Sequence, residues 1–310
     1  MNRFFTRKAI ARTLLLVLTA LVTIVVGCND LRSGAIAPSQ PSSSPAPLTS
    51  AASRNRDGAD NETSSLWVGH LAEQNWMTDW RVRHEGSWGL ENLETLPDPE
   101  HRFDSILRVH YPAGSASPTV ARESGAPLGG AQFLAELGIQ PQTALKLSYY
   151  IRFSENFDFV KGGKLPGLFG GDGPSGGRIP NGVDGFSTRL MWRRQGDGEV
   201  YAYLPTSQIH GTSLGRGEWR FRRGVWQHIQ EEVILNDPGI NNGEVRVWFN
   251  GEQVLDKEGL IFRNVDSLRI NGLFFSTFFG GGDPTWATPQ AVYADFADFS
   301  VSAVPSERES

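Results

Sequence analysis

The sequence predicts an all-β fold, a two-sheet β-jelly roll sandwich of the concanavalin-like kind, and three observations carry that prediction. From Leu66 onward, short segments alternate apolar with polar residues, as in Ile106-Leu-Arg-Val-His-Tyr111. Successive side chains of a strand point to opposite faces, so each such segment has one face for a core and one for water. Gly, Pro, Asn and Asp divide the segments at regular intervals, which marks turns. No amphipathic pattern longer than about three helical turns is present. Of the 310 residues, 39% are hydrophobic, enough for one large core, and sandwiches of this size are routinely single domains.

The elements follow in chain order. Residues 1–27 have a basic start (Arg3, Arg7, Lys8, Arg12) and then the apolar run Leu14 to Val26, the layout of an export signal peptide. The run is brief for a membrane-spanning helix. Gly27-Cys28 follows it and resembles a bacterial lipobox, so Cys28 is the expected lipidation site and the mature chain is expected to be a membrane-anchored lipoprotein of the cell envelope, or secreted. Cys28 is the single cysteine, which excludes an intramolecular disulfide and a zinc–thiolate cluster. Residues 28–64 are rich in Ser, Pro and Ala and poor in large apolar residues. Such a segment buries too little surface to offset its chain entropy, and it is expected to be a disordered linker. The folded domain is placed at residues 65–303, with a disordered tail at 304–310. Within it, strands are expected at 106–111, 145–153, 186–192, 231–235, 245–249 and 268–275. Asn250-Gly251 between Val245–Phe249 and Glu252–Leu255 is a two-residue hairpin signal. One short helix is expected between Gly129 and Gly138.

A net charge of −5 argues against general nucleic-acid binding and leaves room for a local basic patch that holds an acidic ligand. Such a patch is legible in the middle of the chain. Lys161-Gly-Gly-Lys164-Leu-Pro-Gly-Leu168 is followed by Ser187-x-Arg189-x-x-x-Arg193 and by Tyr201-x-Tyr203, a collection suited to anionic sugars. By strand parity Ser187, Arg189 and Arg193 share one face, while Phe186, Thr188, Leu190 and Trp192 form the core face. Tyr201 and Tyr203 likewise share a face opposite Val200, Ala202 and Leu204. A turn at Gln195-Gly-Asp-Gly198 brings the two polar faces side by side. Lys161 and Lys164 differ by three and fall on opposite faces of an unbroken strand. Lys164, which directly precedes Leu165-Pro166-Gly167, is the better candidate for the groove, although the glycine pair permits a bulge that changes the parity.

These residues resemble polysaccharide lyase family 14, the alginate and glucuronan lyases with a β-jelly roll. The resemblance lies in Lys161-to-Leu168 with Gly170-Gly171 after it, in Ser187-Thr-Arg189-Leu-Met-Trp-Arg193, and in Tyr201-Ala-Tyr203 with Gln208. Tyr111-Pro-Ala-Gly114, Trp226, Trp248-Phe-Asn-Gly251 and Phe278-Phe-Gly-Gly281 add to it, so that it covers most of residues 103 to 301. It implies β-elimination at a 4-linked uronate, with Lys164, Arg189, Tyr201 and Tyr203 as catalytic candidates and Lys161, Ser187, Arg193 and Gln208 as substrate-binding candidates. The C5 proton of a uronate is very weakly acidic until its carboxylate is neutralised, a task for the Arg189 guanidinium helped by the Lys164 ammonium. Nearby cations are expected to lower a tyrosine from its usual pKa of ~10. Tyr201 or Tyr203 then serves as base or acid, and the sequence leaves open how these roles divide among Lys164, Tyr201 and Tyr203. No Ser-His-Asp arrangement makes Ser187 a nucleophile.

The expected partner is an anionic polysaccharide, and the protein is expected to act as a monomer with no cofactor. A retaining glycosidase needs two carboxylates on one strand face. Glu231 and Glu232 are adjacent and so lie on opposite faces, and Asp197 and Glu199 sit near a turn where solvation is expected. A non-catalytic carbohydrate-binding module is the alternative, since fold and groove would be alike. Of the nine tryptophans, Trp192, Trp219 and Trp286 are candidates for a sugar groove, against a core role for most. His70, His84, His101, His110, His210 and His228 show no paired metal-ligand spacing.

Overall fold

Alternation along the chain becomes two antiparallel sheets facing each other in a computed structural model that describes residues 65–72 and 75–304. The signal peptide, Cys28, the linker and the tail beyond Val304 lie outside the described residues.

The strands in chain order are β1 (Ser65–Val68), β2 (Leu93–Leu96), β3 (Ile106–Tyr111), β4 (Ala131–Ala135), β5 (Ala144–Phe153), β6 (Gly162–Gly171), β7 (Gly185–Arg193), β8 (Gly198–Tyr203), β9 (Thr212–Leu214), β10 (Gln227–Ile234), β11 (Gly243–Phe249), β12 (Glu252–Leu260), β13 (Ile270–Phe279) and β14 (Val292–Ala303). One sheet has the order β12-β11-β10-β5-β14-β3-β2, with β1 also on β14. The other has the order β4-β13-β6-β7-β8-β9. Two short helices, α1 (Trp76–Asp79) and α2 (Pro118–Ser124), sit outside the sheets. In α2 the Ser117 side chain accepts from the Val120 N–H, and Gly125 ends it with φ 70°, a capped start and a left-handed stop.

The core lies between the sheets. Leu145, Leu147, Ile151 and Phe153 of β5 face Leu165, Leu168, Leu190 and Trp192 of β6 and β7, and all are fully buried. Each such side chain contributes about 1.5–3 kcal/mol through removal from water. Trp192 and Trp219 belong to this core, the packing role that aromatic rings usually take. At the hairpin between β11 and β12, Asn250 and Gly251 have φ of 53° and 86°, the positive pair a two-residue turn demands.

The short helix expected between Gly129 and Gly138 is a correction. Ala131–Ala135 is an extended strand paired with β13, and its burial alternates residue by residue. Pairing with β13 prevails over the helix propensity of its Ala and Leu residues.

The outer faces of the two sheets differ in charge balance. On the eight-stranded sheet, cations meet carboxylates: Lys146 and Arg246 reach Glu232 at 3.1 and 3.0 Å, and Arg108 reaches Asp295 at 2.7 Å. On the six-stranded sheet Arg193 is paired with Glu199, whereas Lys164 and Arg189 have no carboxylate partner among the described residues, and that face carries the cleft.

Candidate active site

The cleft lies over β6, β7 and β8, with a volume of about 600 Å³ and a lining that includes Gln132, Lys164, Arg189, Met191, Arg193, Tyr201, Tyr203, His210 and Trp286. Register places the reactive side chains. Arg189 of β7 pairs with Tyr201 of β8, and Ser187 with Tyr203. On the other side Lys164 pairs with Met191, and Gly167 with Arg189. The parity read from the sequence therefore holds for β7 and β8.

β6 is not regular. Its register with β7 shifts between Lys164 and Gly167, and its register with β13 shifts over the same stretch. Pro166 has no N–H to give to a ladder, so a bulge is the natural solution at this position of a central strand. The bulge sits after Lys164, not at the glycine pair. Gly167 is required by the close approach that results, because a Cβ there would lie 2.2 Å from the Thr188 carbonyl oxygen and 2.7 Å from Arg189 Cα.

Lys164 Nζ lies 2.8 Å from Met191 Sδ and 4.0 Å from the centre of the Tyr201 ring. Burial, then the positive charges of Arg189 and Arg193, hold its pKa well below the usual lysine range. Arg189 is 2% exposed. Its Nη1 donates to Ser276 Oγ at 3.1 Å, and Ser276 in turn donates to Gln132 Oε1 at 3.1 Å. The guanidinium lies 4.6 Å from the Phe274 ring centre, and its Nε has no hydrogen-bond partner. Burial brings Arg189 down to about 10, so it remains charged at neutral pH. An orphaned buried donor on a charged group is a costly arrangement that an anionic ligand would relieve.

Tyr201 and Tyr203 meet edge to face with ring centres 5.8 Å apart. The Tyr203 hydroxyl oxygen accepts from the Gly177 N–H at 2.9 Å. Cations were expected to lower these phenols. For Tyr201 the balance runs the other way, since burial and then Tyr203 raise its pKa by more than Arg193 and Arg189 lower it.

The remaining residues divide. Arg193 lines the cleft while its Nε and Nη2 hold Glu199 Oε1 at 2.7 and 2.5 Å. Glu199 is fully buried and also accepts from Ser213 Oγ at 2.5 Å. This corrects its expected solvation, because the strand, not the turn, carries it. Ser187 is fully buried and its hydroxyl donates to the Pro174 carbonyl at 2.7 Å. It pins the loop between β6 and β7 instead of reaching the cleft. Lys161 is outside the lining, with Nζ on Thr285 Oγ1 and 5.8 Å from the centre of the Trp286 ring, which does line the cleft. Gln208 is exposed on the loop that carries His210 and is not in the lining.

Sequence reading missed Gln132, Met191 and His210. Met191 shares the parity of Arg189 and was within reach, whereas Gln132 was hidden by the helix expected there. His210 carries no local signal. The described lining holds no Asp or Glu, and so no carboxylate pair of the kind a retaining glycosidase needs. Among the described residues there is also no group of three His, Cys, Asp or Glu able to hold a metal.

The comparisons with known proteins agree with this geometry. The family model for Polysaccharide lyase 14 matches residues 99–299. Among solved structures, the marine PL-14 alginate lyase from Aplysia kurodai is 33% identical with a TM-score of 0.67, over 78% of this chain and 100% of that one. An alginate lyase from Chlorella virus is 23% identical with a TM-score of 0.64, over 78% and 100%. An endo-β-1,4-glucuronan lyase from the fungus Trichoderma reesei shares the fold at 12% identity and a TM-score of 0.51, over 78% and 96%. No match is found among the curated proteins. With a jelly-roll sandwich, the motif residues gathered in one cleft and a family match spanning the folded part, the chain belongs to the Polysaccharide lyase 14 family and is a polysaccharide lyase.

Proposed function

We propose that the cleft takes a 4-linked polyuronate of the alginate or glucuronan class and cleaves it by β-elimination. One observation carries this reading: the Arg189 guanidinium, with no carboxylate partner among the described residues, converges with Lys164 and two phenols in a cleft whose described lining has no carboxylate. A polyanion supplies the charge such a site lacks. The 33% identity to an alginate lyase favours alginate as the first substrate to try.

The geometry supports a division of labour. Arg189, charged and lining the cleft, binds the uronate carboxylate and neutralises it as negative charge develops at C5. Lys164, held below the usual lysine range, supplies a neutral amine that takes the C5 proton. The C4=C5 double bond forms as the C4–O4 bond breaks. Tyr201, held above the usual phenol range, keeps its proton and delivers it to O4. Tyr203 accepts from the Gly177 N–H and so has its own proton free for the sugar. No water is consumed, and proton transfer between Lys164 and Tyr201 returns both to their starting forms.

Incubating the purified protein separately with alginate, glucuronan and a neutral β-glucan tests this. Ultraviolet absorbance of the C4–C5 unsaturated uronate is expected to rise with one or both polyuronates, and to stay flat with the neutral glucan and in Arg189→Ala. A flat trace with both polyuronates removes the proposed substrate class.

We also propose, from the sequence alone, export and lipid anchoring at Cys28. Cys28→Ser is expected to move the protein from the membrane fraction to the soluble one, and an unchanged distribution contradicts the anchor.

A further inference from the structure

Two polar side chains of the eight-stranded sheet point into the sandwich at positions where their neighbours are apolar. Tyr149 of β5 sits between Leu147 and Ile151, and Glu231 of β10 sits between Ile229 and Val233. All six are fully buried. Among the described residues no cation is paired with Glu231, and burial holds its carboxyl well above the usual range. A buried polar group costs stability unless it is put to use. Both are used on the same stretch of the facing sheet. Tyr149 Oη donates to the Pro166 carbonyl at 3.1 Å, and Glu231 Oε2 accepts from the Leu168 N–H at 3.1 Å.

That stretch holds the β6 bulge between Lys164 and Gly167, where the ladder is interrupted, and Leu168 just beyond it. Its importance follows from parity. Lys164 and Leu168 differ by four, so a regular strand would put them on one face. Here Lys164 lines the cleft while Leu168 is fully buried in the core. The extra residue between them reconciles the two. Losing it drives either Lys164 into the core or Leu168 into the cleft.

We propose that Tyr149 and Glu231 are positioning residues for the lyase reaction, reaching across the sandwich to hold the β6 bulge that turns Lys164 into the cleft. The inference rests on Lys164 being the base, and the test is built so that the two can fail separately. Glu231 acts as an acceptor, so Glu231→Gln, whose amide oxygen accepts the same bond, preserves the bulge. Tyr149→Phe and Glu231→Leu each remove one tie.

Competitive acetylation of the full chain across pH, read at Lys164 by mass spectrometry, reports the titration of that amine without any substrate. Steady-state kinetics on alginate report kcat and KM. In Tyr149→Phe, the Lys164 titration is expected to move up toward that of an exposed lysine and kcat to fall about 10- to 100-fold with KM nearly unchanged, as for a misplaced catalytic group. Glu231→Leu is expected to follow it, and Glu231→Gln to keep the parent titration and kcat. A folded Tyr149→Phe that keeps both parent values overturns the proposal, as does equal loss in Glu231→Gln and Glu231→Leu. Were the parent protein inert on polyuronates, the Lys164 titration alone would still decide whether the ties position that amine.

Discussion

Lys164 owes its reactivity to where it is kept. An exposed lysine has a pKa near ~10.4 and is a poor base at neutral pH, whereas burial beside Arg189 and Arg193 favours the neutral amine. Lys164→Arg keeps the positive charge and removes a group that can lose its proton. It is expected to lower kcat by about 10²–10⁴-fold, the usual worth of a general base, with a much smaller effect on KM. The pH dependence has a definite sign. A base must be unprotonated, so kcat rises as pH climbs through the depressed Lys164 pKa, below that of an exposed lysine. The acid Tyr201 must be protonated, so the fall comes above ~10, because its pKa is raised. A rate profile that falls in the neutral range contradicts these assignments. At this scale the sequence was informative wherever parity decides: Arg189, Arg193, Tyr201 and Tyr203 all face the cleft as expected. It was silent wherever a distant segment intervenes. The loop carrying Pro174 covers Ser187, and Ser213 helps bury Glu199, and neither contact leaves a trace in the local pattern.

Among the elements, β6 is irregular between Lys164 and Gly167, and its departure positions the site. Pro166 and Gly167 announce some irregularity in the sequence, but its location after Lys164 depends on Tyr149 and Glu231 from the other sheet. Strand pairing over long sequence separations is not encoded locally, and this is why the register was not legible. The β11–β12 hairpin is the opposite case, since Asn250-Gly251 fixes it from two residues. Gly251 has φ 86° and open space where a Cβ would go. Gly251→Ala is therefore expected to destabilise the fold by about 1–2 kcal/mol through backbone conformation alone. Denaturant unfolding would show this, while kcat stays at the parent value because the hairpin is on the sheet away from the cleft. The strand Ala131–Ala135 shows the limit of local reading: its five residues are compatible with a helix, and pairing with β13 makes them a strand.

For the whole molecule, the functional asymmetry is one of charge. A chain of net charge −5 presents an ion-paired outer face on one sheet and, on the other, a cleft whose Arg189 has no carboxylate partner among the described residues. Its interior carries one further charge-state consequence. Glu231 has a raised pKa in the folded state and an ordinary one of ~4.3 when unfolded. Above ~4.3 the unfolded state releases the proton that the folded state keeps, so this residue lowers stability progressively as pH rises toward its folded pKa. Glu231→Gln removes the effect. Its melting temperature relative to the parent is expected to gain as pH increases from 4 to 8, and a difference independent of pH contradicts a protonated Glu231. The fold class was legible because alternation and turn residues act at short range, and the family resemblance rested on motif residues that the fold then gathered into one cleft.

The most direct test of elimination is to cleave alginate in water enriched in heavy oxygen and examine the new chain ends by mass spectrometry. With the fragments reduced by borohydride as they form, before the anomeric oxygen exchanges with solvent, elimination predicts an unsaturated, dehydrated end and no heavy oxygen at the new reducing end. Incorporation of one heavy oxygen per cleavage, with saturated ends, would mean hydrolysis and would contradict the account.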